Sequence, residues 1–296
     1  MQSYPLIARQ MVENMARIAG AAPDRAIAFQ GAPGAYSHIA AKQFAPDWHP
    51  LPCFSFEDAM DAVKDGRASR AIIPIENSQH GRVADIHFLL PESGLSIVAE
   101  HFLPVRHCLL AKSSGPFRTA VSHPQALGQT RHYLRGHNIQ PMTYADTAGA
   151  AAFVAESDDP GLCAIASRLA GEVFGLDIIA DGIEDADHNM TRFVVLASNG
   201  DDPLPGTGDV MTSFIFEVKN IPAALFMALS GFATNGINMT KLESYIRGGS
   251  FSAAEFYADI EGMPGDPAVD RALEVLGHNS KWVRVLGSYR QALARE

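Results

Sequence analysis

Cysteine is scarce in this chain of 296 residues, which has only Cys53, Cys108 and Cys163 and no C-x-x-C pair. A sparse, odd count is typical of a reducing compartment and predicts no disulfide framework. Motifs for the usual cofactors are missing as well: there is no G-x-G-x-x-G after a strand, no Walker A loop, no H-E-x-x-H and no G-x-S-x-G elbow. We therefore do not expect the usual cofactor chemistries.

Positive charge is also in short supply, with 23 Lys and Arg against 33 Asp and Glu and a formal net charge of −10. No basic cluster stands out, which argues against a nucleic-acid partner. No apolar run approaches the roughly 18 residues of a membrane helix. Arg9, Glu13 and Arg17 interrupt the apolar stretch that a secretory signal would need. We expect a cytoplasmic protein with no membrane or nucleic-acid partner.

The first 24 residues predict one amphipathic helix. Ile7, Met11, Met15 and Ile18 recur at helical spacing. We expect the helix to dock on the body of the protein or on a second subunit rather than on a membrane.

Residues 25–198 predict an α/β domain, because short β-rich runs alternate with helical stretches. Strands are predicted at Ala26–Gln30, Ala71–Ile75, Thr119–Ser122, Gln140–Tyr144 and Cys163–Ala166, and helices at Tyr36–Phe44, after Ser55, and at Gln125–Leu134, Thr147–Ala155 and Arg168–Phe174. Extended stretches near 96–111 and 178–197 connect the two sets. The pattern predicts two lobes joined twice around mainly parallel sheets, with polar strand ends meeting in a cleft.

A linker rich in Gly, Pro and Asp occupies residues 199–209 and precedes a separate domain, residues 210–290. In that domain we predict a strand, a helix, two strands, a helix and a strand at Thr212–Val218, Ala223–Ala233, Asn238–Leu242, Ala253–Ile260, Pro267–Gly277 and Trp282–Leu286. This is the β-α-β-β-α-β order of the ferredoxin-like fold.

Five polar segments at strand ends are candidates for a site, and each has a plain structural alternative. Gly31–Ser37 is either an anion-holding loop or an ordinary βα turn, and Pro74–Ser78 carries either ligand groups or a helix cap. Ser122–Gln125 and Asp146-Thr147 are also typical of helix starts. Asp187–Phe193 brings a hydroxyl, a guanidinium and a ring to a strand start, where its arginine either pairs with a substrate carboxylate or lies on the surface.

Four of these segments carry a resemblance to a known family. Gly31–Ser37 reads G-x-x-G-x-Y-S, Pro74–Ser78 reads P-I-E-N-S, Ser122–Gln125 reads S-H-P-Q and Thr191–Phe193 reads T-R-F. In this order and spacing the chain resembles prephenate dehydratases with a C-terminal ACT domain, from residue 25 to about residue 287. The resemblance implies a two-lobed catalytic domain like the type 2 periplasmic binding proteins, followed by a ferredoxin-like ACT domain.

The resemblance further implies that prephenate is converted to phenylpyruvate, with loss of water and carbon dioxide, in phenylalanine biosynthesis. Aromatisation of the ring drives this reaction, so no cofactor is required. By analogy Thr191 assists departure of the ring hydroxyl, with Arg192 as its supporting neighbour. The implied catalytic residues are Thr191, Arg192, Asn77, Ser122 and Gln125. The implied substrate contacts are Ala35, Tyr36, Ser37, Glu76, Ser78, His123, Thr147 and Phe193. Glu76 suits a structural role better, because its charge would repel a dianion.

Feedback regulation by phenylalanine is implied by the ACT resemblance. The implied effector-binding residues are Pro222, Ala223, Ala224, Leu225, Glu243 and Ser244. Ala223 stands where such domains commonly have Gly, and Tyr245-Ile246 replaces their Arg-Pro pair. Because ACT effector sites usually lie between two subunits, a homodimer or homotetramer is implied.

Two other functions are compatible with these residues. Arogenate dehydratase would use the same site on an amino-acid side chain, and a two-lobed domain can also be a non-catalytic binding or sensor protein. The lack of a signal peptide and of a helix-turn-helix segment, and the intact Thr-Arg-Phe motif, favour an enzyme. A fused chorismate mutase would need a long helical segment ahead of Arg25, so we expect a single catalytic activity.

Overall fold

The computed structural model describes residues 4–83, 85–200, 209–246 and 254–293. The chain divides into two compact units. The first comprises Met1–Val83 and Phe102–Phe193, and the second comprises Ala84–His101 and Val194–Glu296. Residues 84–101, which the sequence pattern assigns to the catalytic domain, therefore group with the C-terminal segment. Most of the predicted linker, residues 201–208, lies outside the described residues.

Helices and strands alternate along most of the chain. The helices, in chain order, are α1 (Leu6–Ala21), α2 (Tyr36–Phe44), α3 (Phe56–Lys64), α4 (Ile86–Ser93), α5 (Pro124–Gln129), α6 (Arg131–Gly136), α7 (Thr147–Glu156), α8 (Arg168–Phe174), α9 (Ala224–Thr234) and α10 (Pro267–Asn279). The strands are β1 (Ala26–Gln30), β2 (His49–Cys53), β3 (Arg70–Asn77), β4 (Gly81–Arg82), β5 (Ser96–Pro104), β6 (Cys108–Ala111), β7 (Thr119–Ser122), β8 (Gln140–Thr143), β9 (Leu162–Ala166), β10 (Asp177–Asp181), β11 (Met190–Ala197), β12 (Val210–Val218), β13 (Met239–Ile246), β14 (Ala254–Glu261) and β15 (Ser280–Arg290). Within the described ranges, no helix is long and apolar enough to cross a membrane.

Two sheets contain the strands from β1 to β11. One has the strand order β2-β1-β3-β11-β5, with β4 paired to β3, and the other has the order β10-β6-β9-β7-β8. β1 runs parallel to β2 and β3, and β7 runs parallel to β8 and β9, whereas β6 is antiparallel to both its neighbours. The carboxyl ends of the parallel strands therefore lie along one edge of each sheet, where ligands of α/β proteins bind.

The central strands of the second sheet, β6, β9 and β7, are buried on both faces. Leu110 and Val121 pack in one apolar cluster, and their neighbours Leu109 and Ala120 pack in another on the opposite side. Because strand side chains alternate between faces, helices on both sides produce this double burial. The three cysteines are free and buried, and burial raises the pKa of each thiol to about 12.

The N-terminal helix forms as predicted, and part of its apolar stripe packs on the protein: Ile7 and Met11 contact the buried cluster that contains Ala8. Ala8, Val12 and Ala19 are buried, whereas Ile18 is 39% exposed. The helix packs on β2 and α7 of its own chain, so docking on the body is confirmed.

Two local predictions were wrong. The helix predicted at Gln125–Leu134 is broken into α5 and α6 at Thr130, whose φ is −123°. The buried Thr130 hydroxyl donates to the Ala126 carbonyl at 2.8 Å, a side-chain bond that competes with the helical ladder. Strand β2 was not predicted, because Pro50 and Pro52 interrupt it. The two prolines are tolerated because β2 lies at the edge of its sheet.

The second unit contains the predicted β-α-β-β-α-β segment. Its sheet has the order β13-β14-β12-β15, and all three pairings are antiparallel. Phe214, Phe216 and Phe256 on one face pack with Phe232 of α9 and with α10. The predicted helix start at Ala223 moves by one residue, because Ala223 itself has φ 59° and ψ 13° and α9 begins at Ala224.

Candidate active site

The side chain of Asn77, at the end of β3, joins two segments of the site. Its Nδ2 donates to Asn189 Oδ1 at 2.7 Å and to Thr191 Oγ1 at 3.0 Å. Its Oδ1 accepts the backbone N–H groups of Gln79 at 3.0 Å and His80 at 3.1 Å. The motifs P-I-E-N-S and T-R-F thus meet at one amide, because β3 and β11 are neighbours in the sheet.

The half-buried Thr191 hydroxyl receives a hydrogen bond from Asn77. Because an oxygen that accepts on one lone pair keeps its own proton, Thr191 remains a donor. Among the described residues no acceptor is recorded for that proton. The Thr191 hydroxyl can therefore still act as a hydrogen-bond donor.

Ser78 fastens the turn after β3 to the segment before β11. Its Oγ donates to the His188 carbonyl at 2.9 Å and accepts the Met190 N–H at 2.9 Å, and its backbone N–H donates to the Met190 carbonyl at 2.8 Å. The hydroxyl predicted to contact substrate is thus already engaged in holding the site together.

Arg192 and Glu76 form an ion pair inside the protein. Arg192 Nη1 lies 2.9 Å from Glu76 Oε1, and the Arg192 side chain is 2% exposed while that of Glu76 is 30% exposed. The guanidinium predicted to bind a substrate carboxylate is therefore bonded to a protein carboxylate. The Glu76 carboxylate thus balances the charge of the buried guanidinium.

A second polar chain leads from Tyr36 to the same turn. Tyr36 OH lies 2.7 Å from His107 Nδ1, and His107 Nε2 lies 2.7 Å from Gln129 Oε1. Gln129 Nε2 reaches Gln79 Oε1 at 3.4 Å and His80 Nδ1 at 3.3 Å. Burial lowers the pKa of His107 and raises that of Tyr36, so both groups are neutral at physiological pH.

His107 and Gln129 were missed by the sequence reasoning. For Gln129 a signal existed. It follows Gln125, the last residue of S-H-P-Q, by four residues in the predicted helix, a spacing that puts both amides on one face. For His107 the sequence offers no pattern, since it stands between two strands.

Gln125 borders an open depression of about 580 Å³, a size in the range of small-molecule sites. Its lining residues are Gln79, His80, Pro124, Gln125, Gly128, Gln129, Arg131, His132, Asp185 and Ala186. Three of the lining side chains are neutral amides. Within the described ranges, no group of three or more His, Cys, Asp or Glu is arranged to hold a metal ion.

Several predicted contacts serve the scaffold. The fully buried Ser122 hydroxyl donates to the Ile165 carbonyl at 2.5 Å, and Phe193 is 1% exposed in the core. His123 caps α5 by accepting the Gln125 N–H at 3.3 Å. Thr147 opens α7, where Asp146, not Thr147, is the capping residue.

The Gly31–Ser37 turn is locked by contacts of its own. Gly34 N–H donates to His38 Nδ1 at 3.0 Å, and the Gly34 carbonyl accepts the Ser167 hydroxyl at 2.6 Å. A Cβ on Gly34 would lie 2.6 Å from Ala170 Cα, so only glycine fits. Ser37 is 7% exposed and Ala35 precedes α2. The turn directs Tyr36 toward His107, and the Gly34 backbone groups are bonded to protein side chains.

The predicted effector residues lie at the start of α9 and along β13. Pro222 and Ala223 are exposed, Ala224 is buried, and Leu225 packs against the apolar core of this unit. Glu243 Oε1 is bonded to Lys241 Nζ at 2.8 Å, and Ser244 is exposed. The carboxylate predicted to receive an ammonium group therefore already has a cationic partner.

Comparison with known proteins shows the family of the chain. Residues 27–201 match prephenate dehydratase. A bifunctional N-acyl-homoserine lactone acylase/prephenate dehydratase of Komagataeibacter europaeus is 47% identical over 270 residues, covering 90% of this chain and 96% of that protein. A chloroplastic arogenate dehydratase/prephenate dehydratase of Arabidopsis thaliana is 37% identical over 287 residues, covering 91% of this chain and 73% of its own. The solved structure of the prephenate dehydratase of Arthrobacter aurescens in complex with L-Phe has a TM-score of 0.82 at 30% identity and covers 90% of each chain.

These matches identify the chain, which has a mixed α/β fold, as a carbon–oxygen lyase. The chain belongs to the prephenate dehydratase family. Because the Komagataeibacter relative is named for two activities, the expectation of a single activity stays a prediction.

Proposed function

We propose that this protein converts prephenate to phenylpyruvate at a site centred on Thr191. The observation that carries the proposal is the hydrogen bond from Asn77 Nδ2 to Thr191 Oγ1 at 3.0 Å. It leaves the Thr191 proton for the hydroxyl of the substrate ring. The family match over residues 27–201 supports the choice of substrate.

The reaction breaks two bonds and makes an aromatic ring. Thr191 gives its proton to the ring hydroxyl, which leaves as water. The electrons of the bond to the ring carboxylate move into the ring, and that carboxylate departs as carbon dioxide. The dianion thus consumes one proton, which solvent returns to Thr191. Negative charge that develops on Thr191 Oγ1 during the transfer is stabilised by the N–H that Asn77 already directs at it.

We propose that neutral amides hold the substrate beside Thr191, which is not itself among the residues that line the depression. Gln125 and Gln129 border the depression beside the turn that carries Gln79. Amide N–H groups bond to carboxylates without adding charge. Ser122 and Phe193 are buried and stabilise the strands that carry the site. We infer that residues 25–198 form the two-lobed domain of the periplasmic-binding type. The sheet topology supports this, because the chain passes from the first sheet to the second between β5 and β6 and returns between β10 and β11.

We also propose that residues 210–290 form an ACT domain that binds L-phenylalanine at the start of α9 and along β13, between two copies of the chain. The strand order β13-β14-β12-β15 supports this, as does the presence of L-Phe in the Arthrobacter structure. Titration of L-phenylalanine should give calorimetric binding together with reduced turnover. If the protein is a monomer in solution and still binds L-phenylalanine, an intersubunit site would be contradicted.

The test of the catalytic proposal is turnover of prephenate and of arogenate by the purified protein and by two Thr191 variants. Thr191→Val keeps the shape and removes the hydroxyl, so kcat should fall by about 10²-fold or more. Thr191→Ser keeps the hydroxyl and should retain most of the activity. Near-normal kcat for Thr191→Val would refute the role of Thr191. Faster turnover of arogenate would make it the substrate, and no turnover of either would favour a binding protein.

A further inference from the structure

The backbone fixes the hydrogen-bond direction of the amide cluster around Thr191. The N–H groups of Gln79 and His80 can only donate, so the Asn77 atom that faces them is its oxygen. The Asn77 NH2 group must then face Asn189 and Thr191. It follows that Asn189 presents its own oxygen to Asn77 and that Thr191 accepts.

Asn189 is held in that orientation at a cost. The residue is 3% exposed, and its backbone carbonyl accepts the Val105 N–H at 2.8 Å. Its Nδ2 is buried and has no hydrogen-bond partner among the described residues. Buried donors without partners are rare in proteins because they lose the hydrogen bonds that water would make. Rotation of the amide by half a turn would set two NH2 groups against each other, so the orphaned donor is the consequence of presenting the oxygen.

We propose that Asn189 is a positioning residue of the reaction: its Oδ1 occupies one N–H of Asn77 and thereby directs the other N–H to Thr191. This inference rests on the proposed role of Thr191 as donor to the leaving hydroxyl. Nothing in the sequence patterns singles out Asn189.

The distances from Asn77 Nδ2 to its acceptors indicate the effect of removing Asn189 Oδ1. Asn77 Nδ2 has a third acceptor, the Met190 carbonyl, at 3.3 Å, against 2.7 Å for Asn189 and 3.0 Å for Thr191. When Asn189 Oδ1 is removed, the amide turns toward Met190 and its bond to Thr191 weakens. The Thr191 hydroxyl then rotates freely and directs its proton away from the substrate for most of the time.

The experiment compares Asn189→Leu, which removes the acceptor and keeps the approximate shape, with Asn189→Asp, which keeps an acceptor oxygen. For Asn189→Leu we expect kcat to fall about 10-fold or more and KM to stay within about 3-fold. For Asn189→Asp we expect kcat to be several times higher than for Asn189→Leu, and KM to rise because the added carboxylate repels a dianion. Ser93→Ala, which removes a buried bond to the Leu90 carbonyl, is the control for lost stability and should leave kcat unchanged.

A double variant separates positioning from structural damage. In the Thr191→Val background, Asn189→Leu should reduce the remaining kcat by less than about 2-fold, because its effect passes through the missing hydroxyl. The proposal is overturned if the two losses multiply, if Asn189→Asp is no better than Asn189→Leu, or if Asn189→Leu changes only KM. An active Thr191→Val variant would instead refute the proposed function.

Discussion

Ala223 is a position at which glycine should stabilise the protein. Its φ of 59° and ψ of 13° lie in the left-handed region, one residue before the first turn of α9. A side chain in that region costs about 1–2 kcal/mol through the clash of Cβ with the following carbonyl. Glycine adds freedom to the unfolded chain worth about 0.4–1 kcal/mol. The difference predicts that Ala223→Gly raises the free energy of unfolding by about 0.5–1 kcal/mol.

The same substitution ten residues later should have the opposite effect. Ala233 lies in the last turns of α9 with an exposed side chain, and glycine there should cost about 0.5–1 kcal/mol. The chain has two tryptophans, so in a Trp48→Phe background the fluorescence of Trp282 reports urea unfolding of the second unit. The reasoning would be refuted if Ala223→Gly lowered the unfolding midpoint, or if both variants shifted it in the same direction.

Two more outcomes follow from buried charges and a buried imidazole. Arg192→Lys replaces a planar fork by a point charge, so its bond to Glu76 should weaken, and both the melting temperature and kcat/KM should fall; unchanged values would mean that the pair contributes little. Burial lowers the pKa of His38 from 6.5 to about 4, and its Nδ1 accepts the Gly34 N–H only when neutral. Because the unfolded chain takes up a proton more readily, this residue contributes stability above pH 6.5 that is lost as the pH falls toward 4. The full effect is on the order of 3 kcal/mol. His38→Gln cannot titrate, so urea unfolding at pH 7 and pH 5 should show a smaller acid loss than in the parent, and equal losses would exclude His38 as the cause.

Local patterns predicted most of the fold because each element forms from neighbouring residues. The start of α3 is an example: Ser55 Oγ accepts the Asp58 N–H at 3.1 Å and Asp58 Oδ2 accepts the Ser55 N–H at 3.3 Å, a reciprocal cap visible in four letters of sequence. The elements that were missed depend on position within the sheet. Pro50 and Pro52 argue against a strand until β2 is known to be an edge strand.

The site was predicted less completely, because its bonds join residues far apart in sequence. Motif positions led to Asn77 and Thr191, which do meet. The partner of Arg192 could not be read from the chain, since Glu76 becomes its neighbour only when β3 and β11 pair. In the same way, the sequence does not reveal the acceptor of the Ser122 hydroxyl. The Ile165 carbonyl reaches it only because β7 pairs with β9.

The Arg192–Glu76 pair suits a reaction in which one carboxylate leaves as carbon dioxide. The ring carboxylate of prephenate loses its charge as the carbon–carbon bond breaks. A guanidinium bonded to it would stabilise the bound substrate more than the transition state, which lowers KM and kcat together. Because Glu76 balances the buried guanidinium at 2.9 Å, that unproductive attraction is avoided. We infer that Arg192 shapes the strand start beside Thr191, while neutral amides such as Gln125 and Gln129 hold the departing carboxylate weakly enough for it to leave.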